Sequence, residues 1–137
     1  MYKRKKGELY YTNRHSCFLL QYHMVLVTKY RKPVLTGKVK DHVYGTIRTI
    51  FDERGYNILE LNGEADHVHI LFEAGPDMAP MELANVVKTK TARFVRRDLP
   101  DEVNKIYGEQ AFWTDSYFVT TVGTNSLAVV QDYIKNQ

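Results

Sequence analysis

Apolar and polar positions along the chain recur with periods that mark out seven elements. Cys17 to Thr28 is dense in aromatic and aliphatic residues and predicts a long strand. Lys29-Tyr30-Arg31-Lys32-Pro33 ends it as a basic, proline-stopped loop. Over Lys38 to Arg54, Val39, Val43, Ile47 and Ile50 fall every three or four residues, the spacing of one helical face, and Gly55 suits the position after the helix end. Tyr56 to Leu61 and His67 to Glu73 read as strands flanking Asn62-Gly63, a dipeptide that favours a hairpin turn. Ala79 to Asp98 predicts a second helix with Pro80 in its first turn. Ala84, Val87, Thr91, Phe94 and Val95 fall on one arc of that helix, and Lys88, Lys90, Arg93, Arg96 and Arg97 on the other side, so a core face opposes a basic face. Pro100 to Gly108 reads as a short helical turn or loop. Asp115 to Val122 is a last strand broken by Gly123, and Thr124 or Asn125 can cap a final helix running to Gln137.

The order is strand, helix, strand, strand, helix, strand, with one helix added. Its first six elements match the ferredoxin-like β-α-β-β-α-β arrangement, an α+β fold with an antiparallel sheet and helices on one face. Residues 1–137 form a single domain in this reading, with 1–16 a basic lead-in. The other face of the sheet is left for the last helix, a second subunit or nucleic acid.

Charge adds a direction to this frame. Residues 1–50 carry eleven Lys and Arg against two acids, Glu8 and Asp41, while the remainder carries eight against fourteen. Such asymmetry implies a side that faces a polyanion, because clustered cations displace counterions from phosphates. The run Lys3-Arg4-Lys5-Lys6 by itself reads as a solvated tail. The single cysteine, Cys17, excludes an intramolecular disulfide and reads as a packed strand residue. No apolar run resembles a signal peptide or approaches the ~20 residues that span a bilayer, so a soluble intracellular protein without a membrane partner is expected.

Asp66-His67-Val68-His69-Ile70-Leu71-Phe72 is the stretch richest in candidate chemistry. Residues two apart on a strand share a face, about 6.6 Å apart along the chain, so His67 and His69 can converge on one ion while Val68, Ile70 and Phe72 face the core. From spacing alone the pair reads equally as two histidines on a solvated strand face. In the final helix Leu127, Val130 and Ile134 form an apolar stripe, and Tyr133 and Gln137 stack one turn apart beside it. A tyrosine there is by default a packing residue with a wet hydroxyl. Together the two features complement each other. A phenol of pKa ~10 needs help to attack a phosphodiester. A divalent ion held by His67, His69 and a third ligand such as Gln137 supplies that help.

These residues carry a family resemblance. His67-Val68-His69 resembles the HUH motif, histidine–bulky hydrophobic–histidine, of single-strand DNA nickases. The chain from 17 to 137 resembles the one-tyrosine transposases of the insertion-sequence 200/605 group, the TnpA type. Tyr22-His23 leading into Thr28 to Leu35 resembles that family's first strand and loop, and Asn62-Gly63 through Phe72 its HUH hairpin. Phe112-Trp113, Ser116-Tyr117-Phe118 and Thr121-Val122-Gly123 resemble the stretch before its catalytic helix. Tyr133-Ile134-Lys135-Asn136-Gln137 resembles its nucleophile and glutamine ligand.

The resemblance implies a transposase of prokaryotic cytoplasm, nucleoid-associated when on DNA, that binds imperfect hairpins at element ends as single strands. It further implies attack by Tyr133, a 5′-phosphotyrosine intermediate, Mg²⁺ or Mn²⁺, and a homodimer in which the tyrosine helix of one subunit can complete the other's site, with Gly123 as the hinge. Lys29, Arg31, Lys32, Lys88, Lys90, Arg93, Arg96 and Arg97 then read as phosphate contacts and Tyr30 as a stacking surface. His23 falls near the histidine pair, because first and third strands neighbour in this fold, though a strand histidine is more often simply packed. His15 and His42 carry no functional expectation. Three alternatives stand beside this reading: a domesticated, repeat-associated HUH endonuclease, a non-catalytic RNA-binding module of RNA-recognition fold, and a dimerisation domain with inert histidines.

Overall fold

The aromatic run at the start is shared between two sheets. In the computed structural model, which describes residues 4, 7–108, 111–123 and 126–137, the chain forms β1 (Tyr11–Thr12), β2 (Cys17–Phe18) and β3 (Leu20–Val27). One continuous strand from Cys17 is therefore corrected: a break at Leu19 separates a small β1–β2 hairpin from the main sheet. Asn13 makes the hairpin's turn, its Oδ1 accepting the backbone N–H groups of His15 and Ser16 and the Ser16 hydroxyl at 2.8–3.0 Å. Tyr11 stacks on Phe18 across it. Part of the lead-in is thus folded, and Cys17 lies in β2 but exposed rather than packed.

The main sheet has the order β4-β5-β3-β6, with β4 Asn57–Glu64, β5 His67–Ala74 and β6 Phe118–Thr121, all antiparallel. First and third strands of the motif lie central, so the ferredoxin-like expectation holds. Helix α1 (Gly37–Glu53) buries Val39, Val43, Ile47, Ile50 and Phe51; α2 (Pro80–Asp98) buries Leu83, Ala84, Val87, Thr91 and Val95. Both pack on the face made by Met24, Leu26, Val68, Ile70 and Phe72, and the Phe51 ring stands edge-on to Phe72 at 5.0 Å. Each fully buried large side chain there contributes roughly 1.5–3 kcal/mol. Phe94 is only half-buried, flanked by the guanidiniums of Arg93 and Arg97. A short α3 (Pro100–Asn104) follows, where a helical turn or loop was expected.

Two further boundaries differ from the sequence reading. Asn62 and Gly63 lie inside β4, and the turn falls at Ala65-Asp66. The glycine serves close approach: a Cβ there would meet the His67 carbonyl oxygen at 2.2 Å. The last helix, α4 (Ser126–Lys135), stops short of Gln137, and Leu127 of its expected apolar stripe is exposed while Val130 is buried. Thr124 and Asn125, the expected caps, lie outside the described residues, as do Lys3, Lys5 and Lys6. Helix α4 covers part of the second sheet face, with Val130 on Val25 and Val27.

Gly63→Ala should therefore destabilise the protein by about 1–3 kcal/mol, the usual range for overpacking. Thermal unfolding reads this as a lowered Tm; an unchanged Tm would contradict the close approach.

Candidate active site

Strand alternation builds the site from β5. Val68, Ile70 and Phe72 point into the core, so His67 and His69 stand on the opposite face, opposite Val27 and Val25 of β3. A bulge at Leu59 in β4 shifts its alternation, which puts Asn62 rather than Leu61 beside His69. The Ala65-Asp66 turn is fixed by its neighbours. Thr28 donates to the Asp66 carbonyl from both its N–H (2.9 Å) and its hydroxyl (3.0 Å), and Leu35 N–H donates to Ala65 O. The Thr28–Lys32 loop is itself held by Lys29 N–H on Phe112 O and the Tyr107 hydroxyl on Lys29 O.

Hydrogen bonds around the histidines set their tautomers. Asp66 faces His67 Nδ1 with Oδ1 at 2.8 Å and Arg31 Nε with Oδ2 at 3.1 Å. Burial would raise the Asp66 carboxyl, but the bonds from His67 and Arg31 and their charge outweigh it and hold it below the ordinary range. An ionised Asp66 only accepts, so His67 Nδ1 carries a proton, which leaves Nε2 as the nitrogen facing away from Asp66. His69 Nδ1 lies 3.3 Å from Asn62 Oδ1, and its Nε2 lies 2.6 Å from His23 Nδ1. Burial lowers the pKa of both His23 and His69, with the charge of His23 adding to the effect on His69. As neutral rings they form one chain: His23 Nδ1–H donates to His69 Nε2, and His69 Nδ1–H donates to Asn62. Both histidines of the HUH pair thus give Nδ1–H to an oxygen, the arrangement typical of metal-ligating histidines. Among the described residues, Glu64, Asp66 and His67 form a cluster whose ligand atoms lie within 4.8 Å of one another.

Helix α4 brings the tyrosine. Val130, Tyr133 and Ile134 pack over Val25 and Val27, the cross-strand partners of His69 and His67, and the Tyr133 ring lies 4.9 Å from Phe118. Ser116 Oγ lies 2.7 Å from the Tyr133 hydroxyl and donates to Gln137 Oε1 at 3.3 Å, so Tyr133 donates to Ser116. Gln137 Nε2 also reaches Tyr133 O. The structure therefore brings together His67 and His69 on one strand, and Tyr133 and Gln137 on one serine hydroxyl. Gln137 Oε1 spends its bond on Ser116 rather than on a histidine.

The basic residues divide. Tyr30 is 77% exposed at φ 57°, Arg31 follows at φ 53°, and the Lys29 ammonium sits over the Tyr30 ring. Lys32 lies over Tyr107. On α2, Lys88 and Arg96 are half-buried beneath the connection to β6 and donate to its carbonyls, Lys88 to Ser116 and Arg96 to Gly108 and Ala111. Burial lowers the Lys88 pKa. Arg97 pairs with Asp98, whereas exposed Lys90 and Arg93 line a shallow groove with Met81 and Val86. The uniform basic face is thus corrected, because the chain crossing α2 needs donors there. His42 bonds Asp98 at 2.8 Å, a packing role.

An α+β protein with histidines on the open sheet face and a tyrosine helix docked beside them is the class that this fold and site define. The chain belongs to the IS200-like transposase family, whose profile matches residues 16–137. It is 32% identical over 133 residues to the ISDra2 transposase TnpA of Deinococcus radiodurans, covering 97% of this chain and 90% of that one. It is 33% identical over 123 residues to the transposase of insertion sequence element IS200 from Salmonella typhimurium, covering 90% and 80%. A crystal structure from Deinococcus radiodurans described as a transposase superposes with TM-score 0.83 at 30% identity over 92% of this chain and 96% of that one. A REP-associated tyrosine transposase solved with a REP hairpin shares the fold, with TM-score 0.60 at 12% identity over 90% and 70%. The protein is thus a transposase, a DNA-cleaving enzyme of mobile elements. No helix among the described residues is long and apolar enough to cross a membrane. On the open face, β3 and β5 present Gln21, His23, Val25, Val27, His67, His69, Leu71 and Glu73, so the paired aromatics of an RNA-recognition sheet are absent from these central strands.

Sequence reasoning missed Asp66, Asn62 and Ser116 as partners of the site. Asp66 was detectable as the neighbour of His67; the others needed the register. It also missed Glu73, buried at the far end of the same face. Its carboxylate accepts from Tyr11 (2.7 Å), Gln21 (2.8 Å) and Asn57 (3.2 Å) and pairs with Arg4. Burial would raise its pKa, but those bonds and the Arg4 charge together hold it below the ordinary value. A lowered folded pKa stabilises above the ordinary glutamate value of about 4.3, and that stability is lost as pH falls through the folded value. Glu73→Gln should lower stability near neutral pH and flatten its acid limb. Urea unfolding across pH reads this; an acid limb parallel to the parent's would contradict it.

Proposed function

We propose that the enzyme cuts and rejoins single-stranded DNA at hairpin-marked ends of a mobile element, with Tyr133 as nucleophile. The observation supporting this most is the seating of α4. The helix carrying Tyr133 lies on Val25 and Val27, directly across β3 from His69 and His67. His67 and His69 fit a divalent ion, since each has an oxygen behind its Nδ1–H, which leaves Nε2 as the nitrogen available to a metal, that of His69 once it parts from His23. Gln137, whose amide oxygen accepts from Ser116, would supply the third ligand. Mg²⁺ or Mn²⁺ held there would orient the scissile phosphate and offset the charge that develops on it.

Tyr133 Oη attacks the phosphorus and loses its proton; the P–O3′ bond breaks, and the departing O3′ takes up a proton as a free 3′-hydroxyl. The DNA stays joined through a 5′-phosphotyrosine. An incoming 3′-hydroxyl reverses the step on a new strand, so bond energy is conserved and no ATP is needed. Repeated at both ends, this gives an excised circle and rejoined flanks. Exposed Tyr30 offers a base a stacking surface, and Lys29, Arg31, Lys32, Lys90 and Arg93 offer cations to the backbone, with Lys88 and Arg96 behind them. Val122, Leu127 and Val129 are exposed apolar residues on and before α4, which supports a second copy as partner and exchange of the helix about Gly123.

A hairpin-bearing single strand incubated with Mg²⁺ or Mn²⁺ should be cleaved by the parent, and at least about a thousandfold more slowly by Tyr133→Phe, which lacks the nucleophile. His67→Ala should lose metal-dependent cleavage while retaining hairpin binding. Cleavage by Tyr133→Phe at the parent's rate would sink the nucleophile assignment, and undiminished metal-dependent cleavage by His67→Ala the ligand assignment. Mixing the two variants should restore activity if the helix completes the partner's site; no recovery would count against assembly in trans.

A further inference from the structure

His23 is buried on the open sheet face and has no part in the chemistry above, yet it makes the closest polar contact to the histidine pair. Its Nδ1 lies 2.6 Å from His69 Nε2. The two rings are within 20° of parallel with centroids 4.8 Å apart, the separation of rings that meet edge to edge across such a bond. A shared ion does not fit that geometry. Imidazole–metal bonds run about 2.0–2.1 Å, so two ligands around one ion sit roughly 3 Å or more apart. The contact is therefore an N–H···N hydrogen bond, and Asn62, which takes the proton of His69 Nδ1, fixes its direction. The lone pair that accepts from His23 is the one His69 has to offer a metal.

We infer that His23 caps the metal-binding nitrogen of His69, so that His67 is preset for an ion while His69 joins only when the His23–His69 hydrogen bond breaks. This rests on reading His67 and His69 as ligands. The two histidines of the HUH pair are then unequal: Asp66 holds one ready, and His23 holds the other back. His23 acts as a positioning residue that sets the affinity for the ion.

Mn²⁺ titration of the full chain, read by the spin-resonance signal of free Mn²⁺, tests it. His23→Ala and His23→Leu should bind Mn²⁺ about two- to tenfold more tightly than the parent, the worth of one released hydrogen bond. Unchanged or weaker binding in both would overturn the inference. His69→Ala, run in parallel, should lose the site. If it binds as the parent does, the ligand reading fails and the inference falls with it; if it loses binding while the His23 variants match the parent, only the inference fails. A second readout needs no substitution. Nitrogen–nitrogen coupling across the hydrogen bond between His23 Nδ1 and His69 Nε2 should appear in nuclear magnetic resonance of protein prepared without divalent ions and vanish on adding Mg²⁺. A coupling absent at the outset, or persisting at saturating Mg²⁺, would overturn it.

Discussion

Everything at the site depends on the register between β3 and β5. That pairing sets Val27 against His67, Val25 against His69 and His23 against Leu71. Side chains alternate along a strand, so a slip of one residue would turn both histidines into the core and leave Val68 and Ile70 in water. The hydrophobic cost of that slip, several fully buried aliphatic and aromatic groups, is what holds the polar site in place. The same register gives α4 its seat, because Val25 and Val27 are the apolar floor beneath Val130.

Around that frame, hydrogen bonding does the finer work. Oxygens of Asp66 and Asn62 take the Nδ1 protons of the two histidines, and His23 faces the Nε2 of His69. Asp66 is in turn fixed by Arg31, whose left-handed backbone belongs to the loop that Thr28 clamps on the Asp66 carbonyl. A change in this loop therefore reaches His67 through two side chains rather than through the sheet. Tyr133 is held more lightly. Its hydroxyl bonds one exposed serine, and its helix buries Val130 alone among its described side chains. A firmly held histidine strand beside a lightly seated helix suits the proposed function, in which Tyr133 is the nucleophile.

Much of this was legible in the sequence, for physical reasons that also mark where reading stopped. The helical spacing of Val39, Val43, Ile47 and Ile50 and the alternation around His67 are set by burial, and burial is what periodicity records. Asn62-Gly63 misled because glycine serves both turns and close approaches, and here a carbonyl 2.2 Å from a notional Cβ decided between them. The lead-in was read by its charge, which hid the Tyr11–Phe18 stack and the Asn13 turn. The expected strand order already put His23 near the histidine pair, but its bond to His69, 46 residues on, and that of Ser116 to Tyr133, 17 residues on, become visible only with the register. The basic arc on α2 was placed correctly on the helix, but the carbonyls that engage Lys88 and Arg96 come from a connection with no periodic signal.

In the proposed function, Tyr133 alone among ten tyrosines makes the covalent bond to DNA. The most direct measurement is to trap the protein–DNA product formed on a hairpin-bearing single strand with Mg²⁺ or Mn²⁺, digest both components and locate the nucleotide by tandem mass spectrometry. The expected result is a nucleotide joined through its 5′-phosphate to the peptide containing Tyr133. A nucleotide on Tyr30, Tyr117 or any other residue, or cleavage without a covalent product, would contradict it.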